Sequence, residues 1–312
     1  MPPPAFPLPP PAHELPLPPA RPGAGSTRLL LGVPYAAIPG IRPLELDVVL
    51  PPETDQPVPV VVFLHGGGWR LGSRHAAGPA YRGVAPTPFE QLAQAGMAVA
   101  SVDYRLSGEA TFPAQLHDAK AAVRWLRARA GEIGIDPERI AAWGESAGGH
   151  LAALLGLTAG DADLEGDVGL TGTSSEVSAV VAWYAPTDLV GFAADVSADP
   201  MDPGTREAQL LGGPVPTVPD LAAQASPLAH VSPTAPPFLL LHGEADRFIP
   251  FVQSVRLHTA LVEAGARAEL YLYEDVDHMW LGSPEAAEQA LDRTTDYLRR
   301  LLQVEPTKEE ER

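Results

Sequence analysis

The chain has 312 residues, 45% of them hydrophobic, with 36 prolines, no cysteine, and 21 basic against 39 acidic side chains for a formal charge of −18. That length and apolar content suffice for one large α/β core, and the missing cysteine excludes disulfides, thiolate-bound zinc, iron–sulfur clusters and a thiol nucleophile. The acidic excess, with no basic run, argues against nucleic acid or anionic membrane as a partner and favours a small neutral or cationic substrate.

Eleven of the prolines fall within residues 1–22, where missing N–H donors and a fixed φ predict an extended or disordered arm over 1–25. The arm lacks the basic start and proline-free apolar stretch of a secretory signal. No apolar run approaches the roughly 20 residues that span a bilayer, so a soluble, cytoplasmic protein is expected. From 26 to 304, apolar β-branched runs alternate with amphipathic segments. Strands are predicted at 44–50, 58–64, 98–102, 140–143, 177–183, 238–242 and 269–273, and helices at 113–130, 147–157, 251–264 and 284–302. Several strands are apolar at consecutive positions, as in strands covered on both faces. The alternation predicts an α/β fold with a mostly parallel sheet and helices on both sides. Two stretches break the rhythm. Residues 66–90 open with Gly66, Gly67 and Gly68, and 186–236 is proline-rich with one helix candidate near 206–211. The second is read as a cap-like insertion over the C-terminal edge of the strands, where open α/β sheets bind ligands. A charged tail over 305–312 ends the chain.

The most informative segment is Gly144-Glu145-Ser146-Ala147-Gly148. This G-x-S-x-G pattern follows a strand candidate and precedes a helix candidate, the setting of a nucleophile elbow in which small flanking residues permit a sharp turn that exposes the serine Oγ. A serine hydroxyl needs a base, and the base needs an orienting carboxylate. In chain order the acid belongs after a late strand and the histidine after the last one. Asp246 ends the segment Phe238-Leu-Leu-Leu-His-Gly-Glu-Ala-Asp246, and His278 follows the strand candidate at 269–273. Of the nine histidines, only His278 has the required place. His13 lies in the arm, His117 and His258 within helices, His75 and His230 in loops, and His242 at a strand end, while His150 is too near Ser146 in sequence to curl back. Asp188 stays open as an alternative acid. Asp275 and Asp277 are too close to His278 to back its ring.

Acyl transfer also needs N–H donors for the developing oxyanion, worth about 3–4 kcal/mol each. His65-Gly-Gly-Gly-Trp69 follows the strand at 58–64, where such donors belong, and the N–H of Ala147 adds another. A phosphate-binding loop is the competing reading, but no lysine follows. His65 is read as a brace for this loop, and Trp69 as lining the acyl pocket or anchoring the loop.

Taken together, His65-Gly-Gly-Gly-Trp69, Asp103-Tyr-Arg-Leu106, Gly144-Glu-Ser-Ala-Gly-Gly149, Asp246 and His278 resemble the hormone-sensitive-lipase-like branch of the α/β-hydrolase carboxylesterases over about residues 40–303. The feruloyl and acetyl esterases share the HGGGW form. The resemblance implies Ser146 as nucleophile, His278 as base, Asp246 as acid, the N–H groups of Gly67, Gly68 and Ala147 as oxyanion hole, and Asp103 and Arg105 as structural. Trp69 and Glu145 are the substrate-binding candidates, although Glu145 stands where many members carry Asp, and the proline arm replaces a helical N-terminal cap. The resulting expectation is a serine carboxylesterase, monomer or homodimer, acting on short-chain or aromatic esters without cofactor or metal. An arylformamidase-like amide hydrolase and a non-catalytic ligand receptor on the same fold are the rivals. From the −18 charge neutral esters are expected to be preferred over anionic ones, provided acidic residues lie near the mouth.

Overall fold

Residues 10–304 are described by a computed structural model. Its strands in chain order are β1 (Arg21–Pro22), β2 (Arg28–Ala36), β3 (Leu44–Leu50), β4 (Val58–Leu64), β5 (Ala98–Val102), β6 (Ile135–Glu145), β7 (Val180–Trp183), β8 (Phe238–Gly243) and β9 (Ala268–Tyr273). The helices are α1 (Pro88–Gln94), α2 (Ala114–Ala128), α3 (Ala130–Ile133), α4 (Ala147–Leu157), α5 (Ala162–Glu165), α6 (Phe192–Asp195), α7 (Arg206–Leu211), α8 (Pro219–Gln224), α9 (Val252–Glu263) and α10 (Pro284–Leu301). One nine-stranded sheet runs in the order β1-β2-β3-β5-β4-β6-β7-β8-β9. The strands from β5 to β9 in that order are parallel, and β1, β2, β3 and β5 pair antiparallel.

The consecutive apolar residues of the central strands bury on both faces. In β4, Val60, Val62 and Leu64 face a core shared with Leu116 and Val123 of α2 and Leu151 and Leu154 of α4. Val61 and Phe63 face a second core with Leu92 of α1 and Leu291 and Leu298 of α10. Helices on both sides thus follow from strands that have no polar face to offer water. The parallel strands end at one edge, and the segments after β4, β6, β8 and β9 carry Gly66, Ser146, Asp246 and His278 there. The crossing of α4 over β4 is tight: a Cβ on Gly148 would overlap the Leu64 carbonyl.

Several sequence expectations need correction. Strand β2 was not foreseen, because Gly32 and Pro34 interrupt its apolar pattern; register shifts lie between Leu30 and Val33 and between Pro34 and Ala36, where an antiparallel strand tolerates such residues as bulges. Helix α1 is a further element outside the predicted set, and Thr87 and Glu90 form a reciprocal capping box at its start. The helix expected over 113–130 ends at Ala128, and a short α3 follows. The insertion at 186–236 holds α6, α7 and α8 rather than one helix.

The predicted arm and tail lie partly outside the described residues, which exclude 1–9 and 305–312. Over 10–25 the disordered reading does not hold. The His13 carbonyl accepts from Trp125 Nε1 and Arg129 Nη1, both at 3.0 Å, and Leu17 packs against the first core. Prolines deny the arm N–H donors but leave its carbonyls free to accept, which is how it docks.

Gly148 and Gly131 give opposite expectations for the same substitution. Gly148→Ala drives a methyl into backbone and is expected to cost about 3 kcal/mol or more, whereas Gly131→Ala, in a helix with nothing within 4 Å of the new methyl, is expected to stabilise by roughly 0.5–1 kcal/mol. Thermal melts of the two variants check the contrast.

Candidate active site

Ser146 sits between β6 and α4 with φ 52° and ψ −118°, a left-handed conformation costly for a residue with a side chain. It is held by two backbone bonds: its N–H donates to the Trp183 carbonyl at 2.9 Å, and its carbonyl accepts from His150 N–H at 3.0 Å. The turn points Oγ out of the sheet edge, 3.1 Å from His278 Nε2. The His278 backbone N–H donates to Asp277 Oδ1 at 2.7 Å, which fixes the turn that carries the ring. Tyr184 packs edge-on against that ring with centroids 4.7 Å apart, and Phe248 flanks it at 5.5 Å.

Asp246 lies beyond β8, with Oδ2 2.6 Å from His278 Nδ1. Its Oδ1 accepts from the N–H groups of Phe248 and Ile249, each at 2.8 Å. His242 Nε2 lies 3.3 Å from Oδ2 and 2.8 Å from the Ile249 carbonyl, and a nitrogen facing two acceptors carries a hydrogen. Burial pushes the Asp246 carboxyl up, but the hydrogen bonds from His242 and His278 outweigh it and hold the group well below the usual carboxylate range. An ionised Asp246 requires Nδ1 of His278 to carry the proton, leaving Nε2 to accept one from Ser146.

The other acid candidate is engaged elsewhere. Asp188 Oδ2 pairs with Arg256 at 3.0 Å and its Oδ1 accepts from Gly191 N–H at 3.0 Å. Asp277 binds Arg247 as well as the His278 N–H. Asp103 is bridged by Arg74, and Arg105 by Asp118.

The glycine loop lies beside Ser146. The N–H groups of Gly67, Gly68 and Ala147 donate to no acceptor among the described residues, so they are available to a developing oxyanion. Gly67 has φ 123°, and a Cβ there would overlap the Leu71 carbonyl, so the loop has this shape only with glycine. Glu145 Oε1 accepts from Gly66 N–H at 3.3 Å and Oε2 from Tyr184 Oη at 2.8 Å. Burial pushes its carboxyl up against those two bonds. His65 braces the loop, with Nδ1 2.7 Å from the Gly66 carbonyl and its ring stacked on Tyr104 at 4.3 Å. Burial lowers its pKa.

A cavity of about 630 Å³ opens over Ser146 and His278, and Glu145 and all three loop glycines line it. Trp69 is absent from that wall. Its indole is buried and donates to His150 Nδ1 at 3.2 Å, so it anchors the loop from behind. His242 and Tyr184 also belong to the site, through Asp246 and Glu145 respectively, without being predicted for it. The four-residue step from His242 to Asp246 across a tight turn was the available signal for the first; nothing in the sequence singles out the second. The condition attached to the charge argument is not met either. Arg70, Arg82 and Arg206 line the cavity and Glu145 is its one carboxylate.

A family model described as BD-FAE matches residues 46–261. The chain is 34% identical to Esterase LipC of Mycobacterium tuberculosis over 215 residues, which is 69% of this chain and 51% of that protein. It is 33% identical to Esterase LipQ of the same organism, over 77% of this chain and 54% of that one. The chain thus spans about half the length of the curated relatives it matches. Among solved structures, a truncated carbohydrate esterase from gut microbiota superposes with TM-score 0.77 at 32% identity, covering 88% of this chain and 96% of that one. The propionate-bound esterase Est2 of Thermogutta terrifontis gives 0.69 at 28%, covering 86% and 92%.

His150 carries a pH dependence. It is fully buried, its Nε2 lies 2.6 Å from the Ala225 carbonyl, and burial pushes its pKa from 6.5 down to about 4. Between those values the unfolded chain binds the proton and the folded one does not, so stability falls as pH drops from about 6.5 to about 4, by about 3 kcal/mol. His150→Gln, which can still accept from Trp69 and donate to Ala225, is expected to narrow by that amount the stability gap between about pH 7.5 and 4. Urea unfolding at the two pH values measures it, and an unchanged gap means that His150 does not titrate in this way.

Proposed function

The chain belongs to the BD-FAE family and has the α/β-hydrolase fold of its esterase neighbours, and on that premise we propose that it is a serine carboxylesterase acting on short-chain or aromatic carboxylic esters. The observation that carries this reading is the unbroken hydrogen-bond line from Ser146 Oγ through His278 to Asp246 at 3.1 and 2.6 Å, at the floor of a cavity of about 630 Å³. His278 Nε2 takes the Ser146 proton as Oγ attacks the ester carbonyl, and Asp246 steadies the imidazolium that forms. The N–H groups of Gly67, Gly68 and Ala147 receive the oxyanion charge. His278 then passes the proton to the leaving alcohol, and the acyl-enzyme is hydrolysed by a water that the same ring deprotonates.

Support for the substrate class comes from the relatives. Propionate is bound to the Thermogutta esterase and a carbohydrate ester is implied by the gut enzyme's name. A cavity of about 630 Å³ is in the range that takes small-molecule ligands of this kind.

Ser146→Ala is expected to lower kcat on a 4-nitrophenyl ester by about 10⁶, and a variant retaining most of its activity sinks the reading. Asp246→Asn should cost about 10⁴ in kcat by leaving the His278 tautomer unsupported. Asp188→Asn should cost a few-fold at most, because its partner is Arg256; a larger loss at Asp188 than at Asp246 reverses the choice of acid. A parallel panel of N-formyl amides, expected to be poor substrates, separates the esterase from an amidase.

A further inference from the structure

The cavity over Ser146 holds positive charge for which ester hydrolysis itself has no use. Arg70, Arg82 and Arg206 line it in a chain whose net charge is −18. The wall's one carboxylate, Glu145, is already bound by Gly66 N–H and Tyr184 Oη. Elsewhere the acidic excess supplies arginines with partners: Arg74 binds Glu45, Asp47 and Asp103, Arg105 binds Asp118, and Arg256 binds Asp188 and Asp195. Among the described residues neither Arg82 nor Arg206 has a carboxylate within ion-pair distance, and neither side chain donates a hydrogen bond within the chain.

Arg206 is also held in place. Its guanidinium lies over the Phe248 ring, 5.4 Å from the centroid, and Phe248 in turn flanks His278. Its stem crosses the glycine loop so closely that a Cβ on Gly68 would come within 2.7 Å of Arg206 Cδ. A half-buried guanidinium braced on one face by an aromatic ring keeps its five planar N–H donors for a ligand and loses little entropy on binding. Arg70 is tied to Gln209 Oε1 at 3.2 Å, and it and Arg206 also border a second cavity of about 270 Å³ whose wall holds Asp199 and Glu207, the latter feeling both guanidinium charges without pairing with either.

We propose that the ester hydrolysed at Ser146 carries a carboxylate of its own, bound by Arg206 with support from Arg82 and Arg70. This rests on the esterase reading above and names its substrate class: a monoester of a dicarboxylic acid, with the charge on the acyl side, or an ester of a hydroxy acid, with the charge on the alcohol side. It reverses the preference for neutral esters expected from net charge.

The test uses two pairs of near-isosteres. 4-Nitrophenyl hemiglutarate against 4-nitrophenyl valerate places the charge on the acyl side, and 4-butyryloxybenzoate against its methyl ester places it on the alcohol side. In at least one pair the anionic member is expected to show the higher kcat/KM by about tenfold, the worth of one charge-assisted hydrogen bond. In Arg206→Gln that preference should collapse through KM of the anionic ester, in Arg82→Gln it should fall by less, and Arg206→Lys should restore part of it. Equal or reversed preference in both pairs, or a preference untouched by Arg206→Gln, overturns the proposal while leaving the esterase reading intact. Turnover of neither member of any pair fails the esterase reading instead. Calorimetric binding of 4-butyryloxybenzoate and its methyl ester to Ser146→Ala then decides the anion preference without turnover, tighter binding of the anion supporting it and equal binding overturning it.

Discussion

Everything at this site depends on one strained turn. Ser146 occupies a left-handed backbone conformation at φ 52°, and a residue with a Cβ stays there only if its surroundings leave no alternative. Those surroundings are the sheet itself. The Ser146 N–H is pinned to the Trp183 carbonyl at the end of β7, and α4 begins so close to β4 that only glycine fits at 148. The turn can relax only if α4 lifts off the sheet, and α4 carries Leu151, Leu154 and Leu155 into the first core. The strain at one residue is therefore held by apolar burial several residues away, each such leucine contributing roughly 1.5–3 kcal/mol.

The same edge sorts its carboxylates by their donors. Asp246 and Glu145 are both buried, and burial alone would push both toward the neutral form. Asp246 meets two backbone N–H groups and two imidazoles and stays ionised, while Glu145 meets one N–H and one phenol and is shifted the other way. The first can orient and stabilise an imidazolium. The second has fewer donors and braces the glycine loop through Gly66 N–H.

What the sequence discloses and what it hides follow from the range of the interactions. Central strands and long helices are legible because burial on both faces leaves a run of Val, Ala and Leu, and one buried stripe leaves a three- and four-residue period. Ser146, Asp246 and His278 stand out by their order along such elements, since parallel strands deliver their following loops to one edge. Strand β2 is hidden because its bulges at Gly32 and Pro34 erase the period. Trp69 looks like a pocket residue from its neighbours in sequence, yet its orientation is set by His150, a residue 81 positions away. Tyr184 and Arg206 are invisible for the same reason: each matters through a partner that only the folded chain brings near, respectively Glu145 and Phe248.

Net charge misleads for a related reason. A formal −18 describes the far field, and at physiological salt that field is screened beyond about 8 Å. A ligand inside the cavity responds first to the groups on its wall, where three are arginines and one, Glu145, is a carboxylate. The two scales can act in sequence. The net negative charge discourages loose association with polyanions, whereas a small anion that reaches the cavity meets Arg82 and Arg206, which have no carboxylate within ion-pair distance among the described residues. Distinction among anions then comes from size and geometry: a polymer of charge meets the whole exterior, and a single carboxylate on a compact ester meets chiefly the cavity. An acidic protein with a basic pocket can therefore select small anionic substrates more sharply than a neutral protein with the same pocket, because its exterior turns away the larger competitors.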